Sequence, residues 1–438
     1  MNADLQSGTL SVLEPAVENR PEPASIAETG LTREFLYELA LKSMYYTGTA
    51  TAAELVDALG LSGSVVQEIL AALSRERLIM VLGGETARPM SYQYTITEQG
   101  IERARAAMER TQYVGVAPVP FAAYVEQVER QRIHGLALRR EQVERALSHL
   151  VLDEATRLHV GRAAASRKPT LVYGASGNGK TSIVQALGAT VSGDILIPYA
   201  IEVLGHVIRL YDPSKHVRVD EPPESSGVHR GKRHDRRWVR VQRPSIWTGG
   251  ELTRHSLELV WDERSKTYEA PLQLKANGGT LIIDDFGRQQ IPAVELLNRW
   301  IVALEGGVDH LTFHTGQTLA IPFDVLVLFS TNLEPSHLAD DAFLRRIRYK
   351  IEVRNPTEQE FREIFRREAE TRGLTYDDAV VDHVLRAWYG GRELRGCHPK
   401  DIVEAVLDAA RYEGREPALT REAVDDACQT YFLHEPAH

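Results

Sequence analysis

The spacing of apolar and polar residues changes several times along the chain, and each change marks an element. Residues 1–30 ("MNADLQSGTLSVLEPAVENRPEPASIAETG") show no period and read as a flexible tail. From Leu31 the apolar positions Leu31, Phe35, Leu36, Leu39 and Ala40 recur on one helix face. "TAAELVDALG" predicts a short helix, "LSGS" a turn, and "VVQEILAALSRERLIMV" a longer amphipathic helix. "LGGETARPMSYQYTITEQG" predicts two short strands around a Gly/Pro loop, and "IERARAAMER" returns to the helical period. "YVGVAPVPFAAYVEQVERQ" reads as a linker, within 113–150, leading into helices that run to about Arg167. Three apolar runs, "PTLVY", "TLIIDD" and "DVLVLFSTN", then predict strands. Leu281–Ile283 are apolar without alternation, as in a parallel strand buried on both faces.

Composition narrows the class. A chain of 438 residues exceeds one ordinary core, so two or three domains are expected. Hydrophobic residues at 43% and charged residues at 26% are ordinary for a globular protein. The net charge of −10 argues against nucleic-acid binding by the whole chain. The cysteines are Cys397 and Cys428 alone, and no Cys/His group has zinc spacing, so neither a disulfide framework nor a structural metal is implied. Without an apolar run of membrane-spanning length or a signal peptide, the expectation is a cytoplasmic protein with no membrane insertion.

Three helices and a hairpin over 31–112 resemble a winged helix-turn-helix domain. DNA would then meet the helix Ser64–Arg77 in the major groove. Residues 31–110 hold 8 Lys and Arg against 10 Asp and Glu, and the exposed start of that helix offers Ser62, Ser64 and Gln67 but no cation. Phosphate neutralisation supplies most DNA affinity, so protein contact is the competing reading.

"GASGNGKT" (Gly174–Thr181) fits G-x-x-x-x-G-K-[ST] between a strand and a helix-like "SIVQALGA". Gly174, Gly177 and Gly179 allow backbone N–H groups to turn inward around phosphates, with Ala175, Ser176, Asn178 and Ser182 completing the cradle. The helix N-terminus adds its positive end. Lys180 would reach the outer phosphates, and the Thr181 hydroxyl would ligate Mg2+ beside ATP. In "TLIIDD", Asp284 would hold the metal, mostly through water, and Asp285 stands where a general base belongs. That base is more usually a glutamate, one methylene longer. Asn332, at the end of "DVLVLFSTN", could orient the attacking water. Arg345 and Arg346 follow at a helix end, with Arg346 14 residues beyond Asn332 (346 − 332).

This order resembles the AAA+ ATPase superfamily over about residues 115–435. The resemblance implies an α/β fold: a P-loop parallel-sheet core over 151–354 and a helical lid over 355–438. It implies Lys180 and Thr181 as Walker A, Asp284 and Asp285 as Walker B, Asn332 as sensor 1, and Arg346 with Arg345 as an arginine finger acting on the next subunit. Thr357 and Glu360 have capping-box spacing at the start of the lid. Lys400 follows Pro399 where the family's second sensor is usually Arg, and Arg395 is its rival for that role.

Lys180 to Asp284 spans 104 residues (284 − 180), which requires an insertion. Within it, "HRGKRHDRRWVRVQR" (His229–Arg243) carries 7 Lys and Arg against 1 Asp, and reads either as a substrate-gripping loop at a ring pore or as a basic surface loop. "HLTFHTGQTLAIPF" predicts a hairpin before sensor 1. Insertion and hairpin together resemble the helix-2-insert clade that holds MoxR-type ATPases. "DDFGRQ", "LNRWIVALE", "FSTNLEP" and "CHPKDI" look closest to bacterial chaperone-like ATPases associated with Flp pilus assembly. The expected protein is a homo-oligomeric ring, a hexamer, that remodels a protein client. The alternatives are an ATP-controlled DNA-associated regulator and a nucleotide-held switch with little turnover.

Overall fold

The computed structural model describes residues 18–83, 92–133, 136, 138, 140–219, 234–338 and 344–432. Residues 1–17 of the expected tail, 84–91 of the expected hairpin, 229–233 of the basic stretch and 339–343 before the arginine pair lie outside the described residues.

The N-terminal module begins with a one-turn helix α1 (Ile26–Thr29), then α2 (Arg33–Thr47), strand β1 (Thr49–Thr51), α3 (Ala52–Leu59) and α4 (Gly63–Arg75). Strands β2 (Ile79–Gly83) and β3 (Gln93–Ile96) and helix α5 (Glu98–Arg110) complete it. Each helix starts where a hydroxyl can take a free N–H: Thr32, Thr51, Ser62 and Thr97 cap α2, α3, α4 and α5. The strands pair antiparallel in the order β1-β3-β2. Helix α4 stops earlier than its apolar pattern suggests, because Arg77 at φ 59° turns the chain and "IMVLG" continues as β2.

Two boundaries differ from the sequence expectation. Residues 18–30 are laid across the body rather than loose: Arg20 pairs with Glu126 at 2.9 Å and lies 5.1 Å over the Trp238 ring. The 113–150 stretch carries β4 (Val119–Pro120), α6 (Phe121–Arg130) and α7 (Arg140–Ala146). Its Tyr124 is buried and accepts a hydrogen bond from Asn277 at 2.8 Å, so this stretch is wall rather than linker.

Helix α8 (Glu154–Ser166) leads into β5 (Thr170–Tyr173) and α9 (Lys180–Ala189). The insertion follows as β6 (Asp194–Pro198), β7 (Ala200–Val203), β8 (His206–Arg209) and β9 (Trp238–Gln242). Next come β10 (Ser245–Thr248), β11 (Val260–Asp262), β12 (Thr267–Glu269), the single turn α10 (Leu272–Lys275) and β13 (Thr280–Ile283). Helix α11 (Ala293–Gly306), hairpin β14 (Val308–Thr312) and β15 (Thr318–Pro322), β16 (Leu326–Thr331), the single turn α12 (Pro335–Leu338) and β17 (Tyr349–Glu352) close the α/β part.

The central sheet has five parallel strands in the order β10-β13-β16-β5-β17. Successive side chains of β13 go to opposite faces: Leu281 and Ile283 join Trp300 of α11, and Ile282 joins Ile183 and Val184 of α9. Both faces being covered explains the unbroken apolar run. A second five-stranded sheet, β11-β12-β8-β7-β4, holds most of the insertion. Phe313 and His314, next to the β14–β15 turn, stack among His206, Trp261 and Tyr268 of that sheet.

The C-terminal helices are α13 (Glu358–Thr371), α14 (Asp378–Trp388), α15 (His398–Glu413) and α16 (Arg421–Tyr431), closed around Phe361, Phe365, Val384 and Val424. The capping box of Thr357 and Glu360 is present. Among the described residues no single helix is long and apolar enough to cross a membrane.

Candidate functional site

The loop Gly174–Gly179 joins β5 to α9. Two of its glycines are forced. At Gly174 (φ 136°) a Cβ would stand 2.3 Å from the Val353 carbonyl oxygen, and at Gly177 (φ 83°) it would stand 2.5 Å from Cys397 Sγ. Gly179 is the N-cap of α9, and with no side chain there to take the first N–H groups, the helix start is open to an anion. Lys180 is 7% exposed and its Nζ donates to Ala175 O at 2.8 Å. Burial holds Lys180 below the usual lysine range, with Arg395 adding to this against the pull of Asp285 and Asp284.

Register brings the other half to the loop. In the sheet β16 lies between β5 and β13, with Thr331 opposite Tyr173 and Ile283 opposite Phe329. Chain ends leaving these strands therefore meet at one edge. Thr181 Oγ1 donates to Asp284 at 3.2 Å to Oδ2, across 103 residues. Ser330 Oγ donates to Asp284 Oδ1, and the Asp285 amide donates to the same oxygen at 3.1 Å. Asn332 Nδ2 donates to Asp285 Oδ1 at 3.2 Å.

Asp285 is exposed and holds φ 49°, a left-handed conformation that a non-glycine residue keeps only when its surroundings fix it. Gln289 is what fixes it here. Its Nε2 donates to Asp284 O at 2.9 Å and Asp285 O at 3.1 Å, and its Oε1 accepts from Gly287 N at 2.7 Å. Phe286 is buried and tied to β16, its N–H donating to Ser330 O and its carbonyl accepting from Thr331 Oγ1, both at 2.7 Å.

Segments that lead into the C-terminal helices touch the loop directly. Arg395 Nη1 donates to Ser176 O at 2.9 Å. Asn178 accepts from Gly396 N at 3.1 Å and donates to Asn355 Oδ1 at 2.7 Å. Lys400, by contrast, lies one turn from Glu404 on α15, 4.0 Å from its carboxylate. Of the two rivals, Arg395 is therefore the one placed on the loop. A cavity of about 290 Å³ opens beside Asn178, walled by Val151, Leu152, Val353, Asn355 and Ile364.

Ser182 lies in the first turn of α9 and is half-buried. Arg346 donates to Glu305 on α11 at 2.7 Å, and Arg345 is exposed. Of the basic stretch, 234–243 is not a free loop. Asp235 and Arg237 form a buried pair at 2.8 Å, Arg237 also donates to Thr29 O, and Arg243 donates to Gly278 O and Gln131 O. Sequence reasoning missed Ser330, Asn355, Gly396 and the three-bonded role of Gln289. For Ser330 a signal existed: it precedes Asn332 by two residues, on the strand that neighbours "TLIIDD".

A family profile described as a domain of unknown function (DUF8689) matches residues 357–430, the four C-terminal helices. No curated protein matches the sequence. The chain is similar in structure to NtrX from Brucella abortus, at 13% identity and TM-score 0.39, covering 85% of this chain and 64% of that one. A second NtrX structure, in complex with ATP, aligns at 15% identity and TM-score 0.39, covering 77% and 65%. The Thermotoga maritima Holliday junction branch migration motor RuvB aligns at 16% identity and TM-score 0.34, covering 67% and 70%. The chain thus spans just under two thirds of the length of these two NtrX structures.

Proposed function

We propose that the chain is a magnesium-dependent ATPase of the AAA+ type. The observation that carries this reading is the meeting of Thr181 and Asp284 at 3.2 Å beside the uncapped start of α9. A hydroxyl and a carboxylate, both hard oxygen donors, suit Mg2+ better than a softer metal. When bound, the metal would neutralise charge on the outer phosphates. Thr181 and Asp284 would hold it. The N–H groups of Gly174–Thr181 and Lys180 Nζ would bind the phosphates. The cavity beside Asn178 would take the adenine, its Val151, Leu152, Val353 and Ile364 side chains matching a flat apolar base. Asp285 would take a proton from water held by Asn332, and Arg395 would report the bound state to the C-terminal helices.

In the same reading the protein works as a cytoplasmic homo-oligomeric ring, a hexamer. Arg346, with Arg345, would leave Glu305 to complete the site of the next subunit. The ring would remodel a protein client recruited through the N-terminal module, acting as a winged helix. The inserted sheet and the β14–β15 hairpin support placement in the MoxR-like clade, beside the chaperone-like ATPases linked with Flp pilus assembly. DNA binding by the module is less favoured. Ser62 and Ser64, at the start of α4, donate to Pro23 O and Ala24 O, and Arg236 donates to Val56 O and Leu61 O flanking the α3–α4 turn. The test is phosphate release from ATP: Lys180→Ala and Asp284→Ala should abolish it, and full turnover in either would refute the reading.

A further inference from the structure

The basic stretch has a surface that the nucleotide site does not use. A cavity of about 520 Å³ lies in the seam between the N-terminal module and the insertion. Arg218, Arg236, Arg240 and His234 line it from the insertion, and Asp57 lines it from α3. Tyr199 and Trp238 supply low-dielectric wall. Leaving His234 aside, three guanidinium groups stand against two carboxylates, Asp57 in the lining and Asp194 behind Arg240, so the concavity keeps a surplus of positive charge on a chain whose net charge is −10. Two of the groups are already held in place. Arg236 is held by Asp57 at 2.8 Å and by the carbonyls of Val56 and Leu61, and Arg240 Nε by Asp194 at 3.1 Å. Arginines fixed in this way lose little freedom when they grip a ligand, and their forked donors match phosphate oxygens. A concave wall of one charge also concentrates counter-ions. The volume lies in the range of small-molecule sites, above what a single inorganic ion fills.

We propose that this seam cavity is a binding site for a small polyphosphate-bearing anion of nucleotide size, gripped by Arg218, Arg236 and Arg240. The reading is independent of ATP hydrolysis at the P-loop. Asp57 gives the site a distinctive sign. Its carboxylate repels the anion and competes for Arg236, so the ligand weakens the contact that docks α3 on the insertion.

The test is calorimetry with inorganic tripolyphosphate on the full chain carrying Lys180→Ala, which weakens phosphate binding at the P-loop. The expected result is saturable, salt-sensitive binding. Arg240→Ala should weaken it about tenfold, as loss of one charge-assisted hydrogen bond does, whereas Asp57→Asn should tighten it. Because Arg240→Ala also breaks the pair with Asp194, the exposed Arg218→Gln serves as a second variant that leaves the fold's contacts alone, and it should weaken binding likewise. No binding at low salt, equal binding in Arg218→Gln, or weaker binding in Asp57→Asn would overturn the proposal. Displacement of tripolyphosphate by a much tighter-binding DNA duplex would overturn the assignment to a small anion.

Discussion

Replacing Asp285 separates the roles its position combines. The residue holds φ 49°, a conformation that costs a non-glycine side chain about 1–2 kcal/mol. Glycine removes that strain, but it loses the Asn332 hydrogen bond, worth about 1 kcal/mol, and adds about 0.7 kcal/mol of unfolded-chain entropy. The terms cancel to within about 1 kcal/mol, so Asp285→Gly should melt close to the wild type. Asn tolerates the left-handed region and keeps an oxygen for Asn332, so Asp285→Asn should also fold unchanged. Neither variant can take a proton from water. Each should therefore lose about 10²–10⁴-fold in kcat, the usual worth of a positioned general base. Glutamate carries the carboxylate one methylene further, so Asp285→Glu should turn over faster than the wild type, at a small cost in stability for a longer side chain at positive φ. The assays are steady-state phosphate release and thermal melting on the same samples. Asp285→Asn within tenfold of wild-type turnover would show that Asp285 does not touch the water. That result would favour a nucleotide-held switch. A loss of several kcal/mol in Asp285→Gly would refute the strain argument.

Other consequences follow from single contacts. Arg395→Ala, losing the bond to Ser176 O, should raise the KM for ATP about tenfold, whereas Lys400→Ala should leave it nearly unchanged; equal effects would return Lys400 to the role. Gly177→Val should abolish nucleotide binding and separate the loop from α15, read by fluorescent-nucleotide titration, because its Cβ would collide with Cys397 Sγ. Lys42, whose Nζ donates to Thr111 O, is pushed down to about 8, first by burial, against the pull of Glu38. Its charged form is thus disfavoured by folding. The penalty is full below the folded value, and stability should rise as pH climbs from about 8 toward the unfolded value of 10.5. Melting of wild type against Lys42→Met should show that rise only in the wild type.

The candidate site is legible in the sequence where it is local. The loop Gly174–Thr181 is one continuous segment, and the acids Asp284 and Asp285 end an apolar run that is unbroken because β13 is covered on both faces. What was not legible depends on pairings between distant segments. Asn178 joins Asn355 and Gly396, and Arg395 reaches Ser176, across separations of 177 to 219 residues that leave no local pattern. Residues 18–30 looked like a tail because they lack a period, yet Arg20 is fixed by Glu126, Gln127 and the Trp238 ring, one contact at a time. The run "RRWVRVQR" belongs to the stretch that reads from sequence either as a substrate-gripping loop or as a basic surface loop. Its arginines are positioned by Asp57, Asp235, Asp194 and backbone carbonyls, partners that composition cannot reveal.

The proposed role of Thr181 and Asp284 as the metal-holding half of an ATP-hydrolysing site has a direct test. The direct measurement is phosphate release from ATP by the full chain, with and without magnesium, alongside Asp284→Ala and with ATP binding followed in parallel. The expected result is magnesium-dependent release that Asp284→Ala abolishes while ATP still binds. Magnesium-independent release, or undiminished release from Asp284→Ala, would contradict it.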